Sequence, residues 1–384
     1  MMQPERCSQI NPFMVMEVLE RAQAIEKCGQ HVIHLEVGEP DFDTPEPIKE
    51  AAIRAIKEGK TGYTHSLGLL ELRETIADYY CKTYQLKSID PEQVIVTSGT
   101  SPAMLLAFAA ILEPGDEIII SDPHYACYPN FIKFFRGIPR TVPIYEERAF
   151  QYDTENVKAR LSQNTKGILI NSPSNPTGTL LSEETLRSLV DLDILILSDE
   201  IYHGLTYGEK AHSILEYTDN CIVFNGFSKL YAMTGWRLGY LIVPKKLVRS
   251  IQKMHQNFFI SANSISQWAG ITALTDPDVQ KDVSQMISTY DQRRKVLIQG
   301  LKNIGFGIRT EPTGAFYVLA NAKRFTDNSY EFAFNILEKT CVGVTPGIDF
   351  GKNAEGYIRF AYANSVENIE EALQRLGTFL ETFP

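Results

Sequence analysis

The sequence predicts an α/β fold: a three-layer α/β/α large domain on a seven-stranded, mostly parallel sheet, plus a smaller α+β domain. Three observations predict it. Short β-branched runs recur at 94–97, 117–121, 140–144, 167–171, 194–198, 221–225 and 239–243. The first six are separated by helix-sized segments such as 102–112 and 182–190. After Pro244 the pattern changes to a long helical stretch followed by short strands. Continuous apolar strands that alternate with helices indicate a sheet covered on both faces. The connection from Gly226 to Leu238 is short for a crossover, so the 239–243 strand is expected to run antiparallel.

The elements follow in chain order. Val15, Val18, Leu19, Ala22 and Ile25 are spaced for one face of a helix, and Gly29 follows as its C-terminal stop. Thr44-Pro45 reads as an N-cap and first-turn proline opening a helix that ends near Gly59. Leu69, Leu72, Ile76 and Tyr80 mark the next helix. Beyond the central strands, a helix is expected over 277–303. Strands follow near 316–319, 343–345 and 357–361, with helices at 330–339 and 366–379 between and after them. Residues 45–275 are expected to form the large domain, and 1–44 with 276–384 the small one, leaving a cleft between them.

Composition narrows the class. At 44% hydrophobic and 22% charged residues the chain is of ordinary globular make-up, which excludes a disordered or fibrous chain. The 37 Lys plus Arg against 47 Asp plus Glu give a charge of −10, a poor match to nucleic acid or to an anionic membrane. No run approaches the ~18 apolar residues of a membrane span. The N-terminus has no apolar stretch like that of a signal peptide. Six cysteines (Cys7, Cys28, Cys81, Cys127, Cys221 and Cys341) stand far apart without a C-x-x-C pair, as expected of reduced thiols in a cytoplasmic protein.

In open parallel sheets ligands bind beyond the carboxyl ends of the strands, so those ends carry the functional reading. After 94–97 comes Ser98-Gly99-Thr100-Ser101-Pro102, a small-residue turn opening a helix: either an anion site or an ordinary capped turn. Ser172-Pro173-Ser174-Asn175-Pro176-Thr177-Gly178 is a rigid turn presenting Asn175. Asp199, in Asp199-Glu200-Ile201-Tyr202, ends a buried strand. An ionised carboxylate there needs a cation, either a nearby arginine or a protonated cofactor nitrogen. Lys229 follows another buried strand between apolar Phe227 and Leu230, where burial would lower its pKa and favour a nucleophilic amine. Gly59-Lys60-Thr61 fails as a phosphate loop because Arg54 stands where its first glycine belongs, and no G-x-S-x-G or G-x-G-x-x-G exists. His31 and His34 fall in a strand-like stretch and predict no metal site.

These motifs, from Gly38-Glu39-Pro40-Asp41-Phe42 to Arg359 in Tyr357-Ile358-Arg359-Phe360-Ala361, appear in an order and spacing that resembles fold-type I pyridoxal-phosphate enzymes. The resemblance is to class I aminotransferases of the aspartate aminotransferase family. It implies pyridoxal 5'-phosphate held on Lys229 as a Schiff base, with Lys229 later moving a proton. It implies Asp199 on the ring nitrogen, Asn175 and Tyr202 on the phenolic oxygen, and Tyr125 stacked on the ring. The phosphate would lie against Gly99, Thr100, Ser101 and Arg237. Ser228 would add a hydroxyl, although the family's serine stands two positions earlier, where this chain has Gly226. Tyr63 would reach the neighbouring subunit's phosphate, implying a homodimer with shared sites.

Gly38, Asn175 and Arg359 would hold the substrate, Arg359 gripping its α-carboxylate. The activity implied is amino transfer from an L-amino acid to a 2-oxo acid, with 2-oxoglutarate the expected acceptor. A carbon–sulfur β-lyase on the same scaffold, or an effector-sensing regulator, are the alternatives. The segments 10–14 and 257–263, with Phe13, Phe258 and Phe259, are expected to flank the donor side chain; the identity of the donor stays open.

Overall fold

The computed structural model describes residues 8–382, so Cys7 and the first seven residues assigned to the small domain lie outside the described residues. Twelve strands organise it: β1 (Ile33–His34), β2 (Val94–Thr97), β3 (Glu117–Asp122), β4 (Ile138–Pro143), β5 (Thr165–Asn171), β6 (Leu195–Asp199), β7 (Cys221–Gly226), β8 (Gly239–Ile242), β9 (Tyr317–Asn321), β10 (Val342–Gly343), β11 (Thr345–Pro346) and β12 (Tyr357–Ala361). Seven of them form the main sheet in the order β2-β8-β7-β6-β5-β3-β4. β8 alone runs against its neighbours, pairing antiparallel with β2 and β7, as its short connection predicts. The remaining pairings are parallel, so Thr97, Asp122, Asn171, Asp199 and Gly226 all end at one edge.

Side-chain alternation gives this sheet two apolar faces. Ile119, Ile196 and Val223 point into one core, with the helix Leu70–Tyr84. Ile118, Leu197 and Phe224 point into the other, with the helix Thr100–Ile111. A second sheet, β11-β12-β9, is antiparallel, and β1 pairs in parallel with β10. The N-terminal segment is thus stitched to the C-terminal layer: Leu35 donates its N–H to Gly343 O, and Ala361 donates to Leu35 O. The helix Pro277–Asn303 has the bounds that its sequence pattern predicts.

Several local expectations change. Thr44 does not cap the helix Glu46–Lys57; Pro45 stands at the N-cap without a side-chain bond. The Thr44 hydroxyl instead donates to Ala232 O at 2.6 Å and accepts from Trp236 Nε1 at 3.0 Å, tying the helix start to the turn after Lys229. The expected loop over 257–263 is helical at its start, because the helix Lys245–Phe258 extends into it. Asn263 then caps a further helix, Ser264–Thr275, by accepting from Ser266 N–H. His34 is occupied by two carboxylates, Glu36 at 2.6 Å and Glu26 at 3.2 Å, and the bond to Glu36 pushes it up to about 9.

Glycine matters most where β8 passes the turn after β2. A Cβ on Gly239 would lie 2.7 Å from Gly99 C and 2.8 Å from Thr100 N, backbone atoms that cannot swing aside. Gly239→Val is therefore expected to cost about 1–3 kcal/mol of stability through overpacking, read as a lower urea midpoint at unchanged slope.

Candidate active site

The strand ends converge on a cavity of about 240 Å³, into which Lys229, Asp199, Tyr202, Asn175, Tyr125, Arg359 and Gly38 all face, with Thr100 and Ser101 at one end. Most reach it at or just beyond the end of a main-sheet strand, whereas Arg359 lies on β12 of the second sheet and Gly38 in the N-terminal segment after β1.

Asp199 is 4% exposed and no Lys, Arg or His pairs with it among the described residues. Tyr128 donates to its Oδ2 at 2.7 Å and Ile201 N–H to its Oδ1 at 3.2 Å. Burial pushes the carboxyl up to about 6 despite those donors. The arginine alternative is thus not met among the described residues, and the carboxyl group's hydrogen bonds come from neutral donors.

Lys229 is half-buried and donates from Nζ to Gly38 O at 2.6 Å. Burial lowers its pKa to about 8, against the opposing pull of Glu39 and Asp199. A substantial share of neutral amine near neutrality follows, the form that attacks carbonyl carbon. Gly38 must be glycine here: a Cβ would sit 1.8 Å from the Tyr317 hydroxyl. That hydroxyl lies 2.8 Å from the Tyr202 hydroxyl.

Arg359 on β12 is 2% exposed and forms no salt bridge among the described residues. It donates to Asn175 Oδ1 at 2.9 Å, to Thr345 Oγ1 at 3.1 Å and to Glu36 O, while its Nε has no partner. A buried guanidinium bonded only to neutral acceptors is built to receive an anion.

At the other end, the helix Thr100–Ile111 starts after Gly99, whose φ of +100° and lack of a capping side chain leave the first N–H groups open. Arg237 covers this turn, with Nη2 2.5 Å from where a Gly99 Cβ would lie, and it donates from Nη1 to Thr234 O at 2.9 Å. Tyr125 stands edge-on to Phe13, centroids 6.0 Å apart.

Some expected residues stay apart. Tyr63 is 86% exposed and does not line the cavity, nor does Ser228. Gly226, at the position of the family's serine, is pinned by packing: a Cβ would meet Leu238 O at 3.0 Å and Gly239 Cα at 3.1 Å. Of the three phenylalanines expected to flank the donor, Phe13 lines the cavity, where Phe131 joins it. Phe258 is exposed, and Phe259 packs against His255 and the core behind the helix Thr100–Ile111. Sequence reading missed Tyr128 and Tyr317; nothing in sequence separates them from core tyrosines.

Fold and site together define an α/β protein that gathers an amine, a buried carboxyl group and a buried guanidinium around one cavity. The model of the aminotransferase class I and II family matches residues 30–376, and the chain belongs to that family. It is a pyridoxal-phosphate-dependent transaminase. It is 42% identical, over 98% of its length and 99% of the relative's, to the (5-formylfuran-3-yl)methyl phosphate transaminase of Methanocaldococcus jannaschii. It is 41% identical, over 98% and 97% of the two chains, to the aspartate aminotransferase of Pyrococcus horikoshii. The structure of Thermus thermophilus aspartate aminotransferase with maleate superposes with a TM-score of 0.94 at 36% identity, covering 98% and 99% of the two chains.

Removing the close approach at Gly38 tests the site's geometry. Gly38→Ala must displace Tyr317 and break its bond to Tyr202, with an expected loss of about 1–3 kcal/mol from an orphaned buried hydroxyl. Comparing urea unfolding with kcat/KM for wild type and variant checks this: the catalytic loss should persist at temperatures where both are fully folded.

Proposed function

We propose that the chain moves an amino group from an L-amino acid to a 2-oxo acid, with 2-oxoglutarate as an acceptor, in a ping-pong sequence centred on Lys229. The observation that carries this reading is Asp199, a buried carboxylate with only neutral partners at the end of a strand. Its missing counter-charge is what a protonated pyridine nitrogen provides. The other residues fit the same group: Lys229 for its aldehyde, the Gly99-Thr100-Ser101 turn and Arg237 for its phosphate, and Tyr125 beside its ring. When bound, the cofactor supplies an electron sink for the carbon that loses a proton.

The protein's own groups do the rest. Neutral Lys229 would hold the cofactor's aldehyde carbon through Nζ and, once the substrate's amine has taken its place, would serve as the base for the substrate's Cα proton. Asp199 keeps the ring nitrogen protonated. Tyr202, braced by Tyr317, and Asn175 would donate to the ring's phenolic oxygen. Arg359 grips the α-carboxylate, positioned by Asn175, Thr345 and the Glu36 carbonyl. Residues 45–275 form the cofactor-binding domain in this reading, and 1–44 with 276–384 the domain that brings Gly38 and Arg359 over it. The exposure of Tyr63 supports a homodimer in which that residue serves the neighbouring site.

The purified protein should be yellow, change absorbance on adding an amino acid, and recover when 2-oxoglutarate follows. Lys229→Ala should abolish the change. A colourless protein unresponsive to added pyridoxal phosphate would sink the reading. A donor panel of aspartate, alanine, phenylalanine, kynurenine and diaminopimelate, read against 2-oxoglutarate, assigns the donor.

The ionisation of Lys229 gives a second test. Its amine is protonated below about 8 in the fold and below 10.5 when unfolded, so the fold binds fewer protons between those values. Stability of the cofactor-free chain should therefore gain a contribution as pH rises through that window, and the rate of uptake of pyridoxal phosphate should climb through pH 8. A rate flat from pH 7 to 9 would contradict it. Arg359→Lys loses the bidentate fork, and KM for amino acid should rise roughly tenfold or more, as about 2 kcal/mol of charged hydrogen bonding is lost.

A further inference from the structure

Two consecutive buried carboxyl groups stand at the end of β6, Asp199 as its last residue and Glu200 just beyond it, and the chemistry above uses only the first. Alternation sends Asp199 towards Tyr128 on one face of the sheet and Glu200 to the other. Glu200 is 1% exposed. Its Oε1 accepts from Ser198 Oγ at 3.1 Å, Ser213 Oγ at 3.0 Å and Ile214 N–H at 3.1 Å. Its Oε2 accepts from the Tyr80 hydroxyl at 3.0 Å, with His203 Nδ1 3.5 Å away. Burial holds His203 down to about 3, so it is neutral and offers no counter-charge. Burial likewise pushes Glu200 up to about 7.

The bonds lead to the other functional strand. The Tyr80 oxygen accepts from Asn225 Nδ2 at 2.9 Å, and Asn225 Oδ1 accepts from Gly226 N–H at 2.7 Å. Gly226 opens the turn that carries Lys229. The Glu200 backbone N–H meanwhile donates to Phe224 O on β7 at 2.8 Å. Tyr80 is itself fixed, fully buried in the helix Leu70–Tyr84. A single line of buried bonds, Glu200 to Tyr80 to Asn225 to Gly226, therefore joins the end of β6 to the end of β7 from behind the sheet.

We propose that Glu200 is a positioning residue for the reaction: through Tyr80 and Asn225 it holds the ends of β6 and β7 in the register that aims Asp199 and Lys229 into one cavity. The proposal rests on the roles given above to those two residues. The chemistry of the site explains why a carboxylate is used. Ionised, Glu200 accepts at both oxygens and donates nothing, which suits four donors converging on it. An amide would turn an N–H towards the Tyr80 hydroxyl or towards the Ser198, Ser213 and Ile214 donors, and one part of the line would break.

Glu200→Gln, Tyr80→Phe and the double variant test this as holoenzymes. The response of the wild-type visible band to amino acid is read first; if it is absent, the function proposed above fails, not this inference. Given that response, both single variants should keep KM within about threefold while kcat falls roughly tenfold to a hundredfold, the scale of loss from slight misplacement of reacting groups. Each should also shift the pH midpoint of the band. The double variant should be no slower than the worse single one, because both cut one line of bonds.

A purely structural network would lower the melting temperature while leaving kcat and the midpoint at wild-type values in the folded protein, and that result overturns the proposal. Losses that multiply in the double variant overturn it too. If Glu200→Gln fails to fold, Tyr80→Phe, which removes one hydroxyl and leaves Glu200 three of its donors, decides by the same kcat and midpoint criteria.

Discussion

Arg359 is the contact on which the arrangement of the site depends. A full positive charge at 2% exposure, in no salt bridge among the described residues, is held by the carbonyl of Glu36, the hydroxyl of Thr345 and the amide of Asn175. Those partners come from the N-terminal segment, from β11 and from the turn after β5. The guanidinium also lies over the rings of Tyr317 and Phe350, at 4.5 and 4.9 Å from their centroids. One side chain thus couples both chain ends to the main sheet. Burying it unpaired is costly, and the neutral acceptors offset only part of that cost. The remainder is available to whatever anion enters.

The same logic governs the opposite charge. Asp199 is an anion without a cation, Lys229 an amine whose charge burial disfavours, and both face the cavity that Arg359 closes. Among the described residues none of the three is held in a salt bridge. Each would be matched by a different part of an anionic, aldehyde-bearing, basic-ringed ligand and its amino-acid partner. Electrostatic strain of this kind is a form of preorganisation, because the groups need no reorientation when the ligand arrives.

The main sheet was legible because its central strands are apolar runs set between helices, and even the reversed β8 followed from the length of one connection. Residues at strand ends were legible for a chemical reason: Asp199 and Lys229 are ionisable groups where the pattern demands burial. Phe258 misled, since an aromatic residue at a loop edge looks the same whether it lines a cavity or faces out. The helix Ser264–Thr275 gave no periodic signal, being small and apolar on all sides. Tyr128 and Tyr317 were invisible because their contacts join positions 71 and 115 residues apart, and no local pattern encodes such distances.

Net charge proved a poor guide to the ligand. The chain carries −10 overall, yet the groups it is argued to bind are carboxylates and a phosphate. Surface charge is screened over a distance of about 8–10 Å in ordinary salt, whereas a buried guanidinium acts across a few ångströms of protein. The cavity is also defined by what is missing from it. Without a Cβ at Gly38 the Tyr317 hydroxyl can reach Tyr202, and without one at Gly99 the Arg237 guanidinium can lie against the turn. Where a glycine admits a charged or hydroxylated tip to a strand end, a sheet edge common to many proteins becomes a site for one kind of chemistry. The residues that create that difference are two backbone positions with no side chain at all.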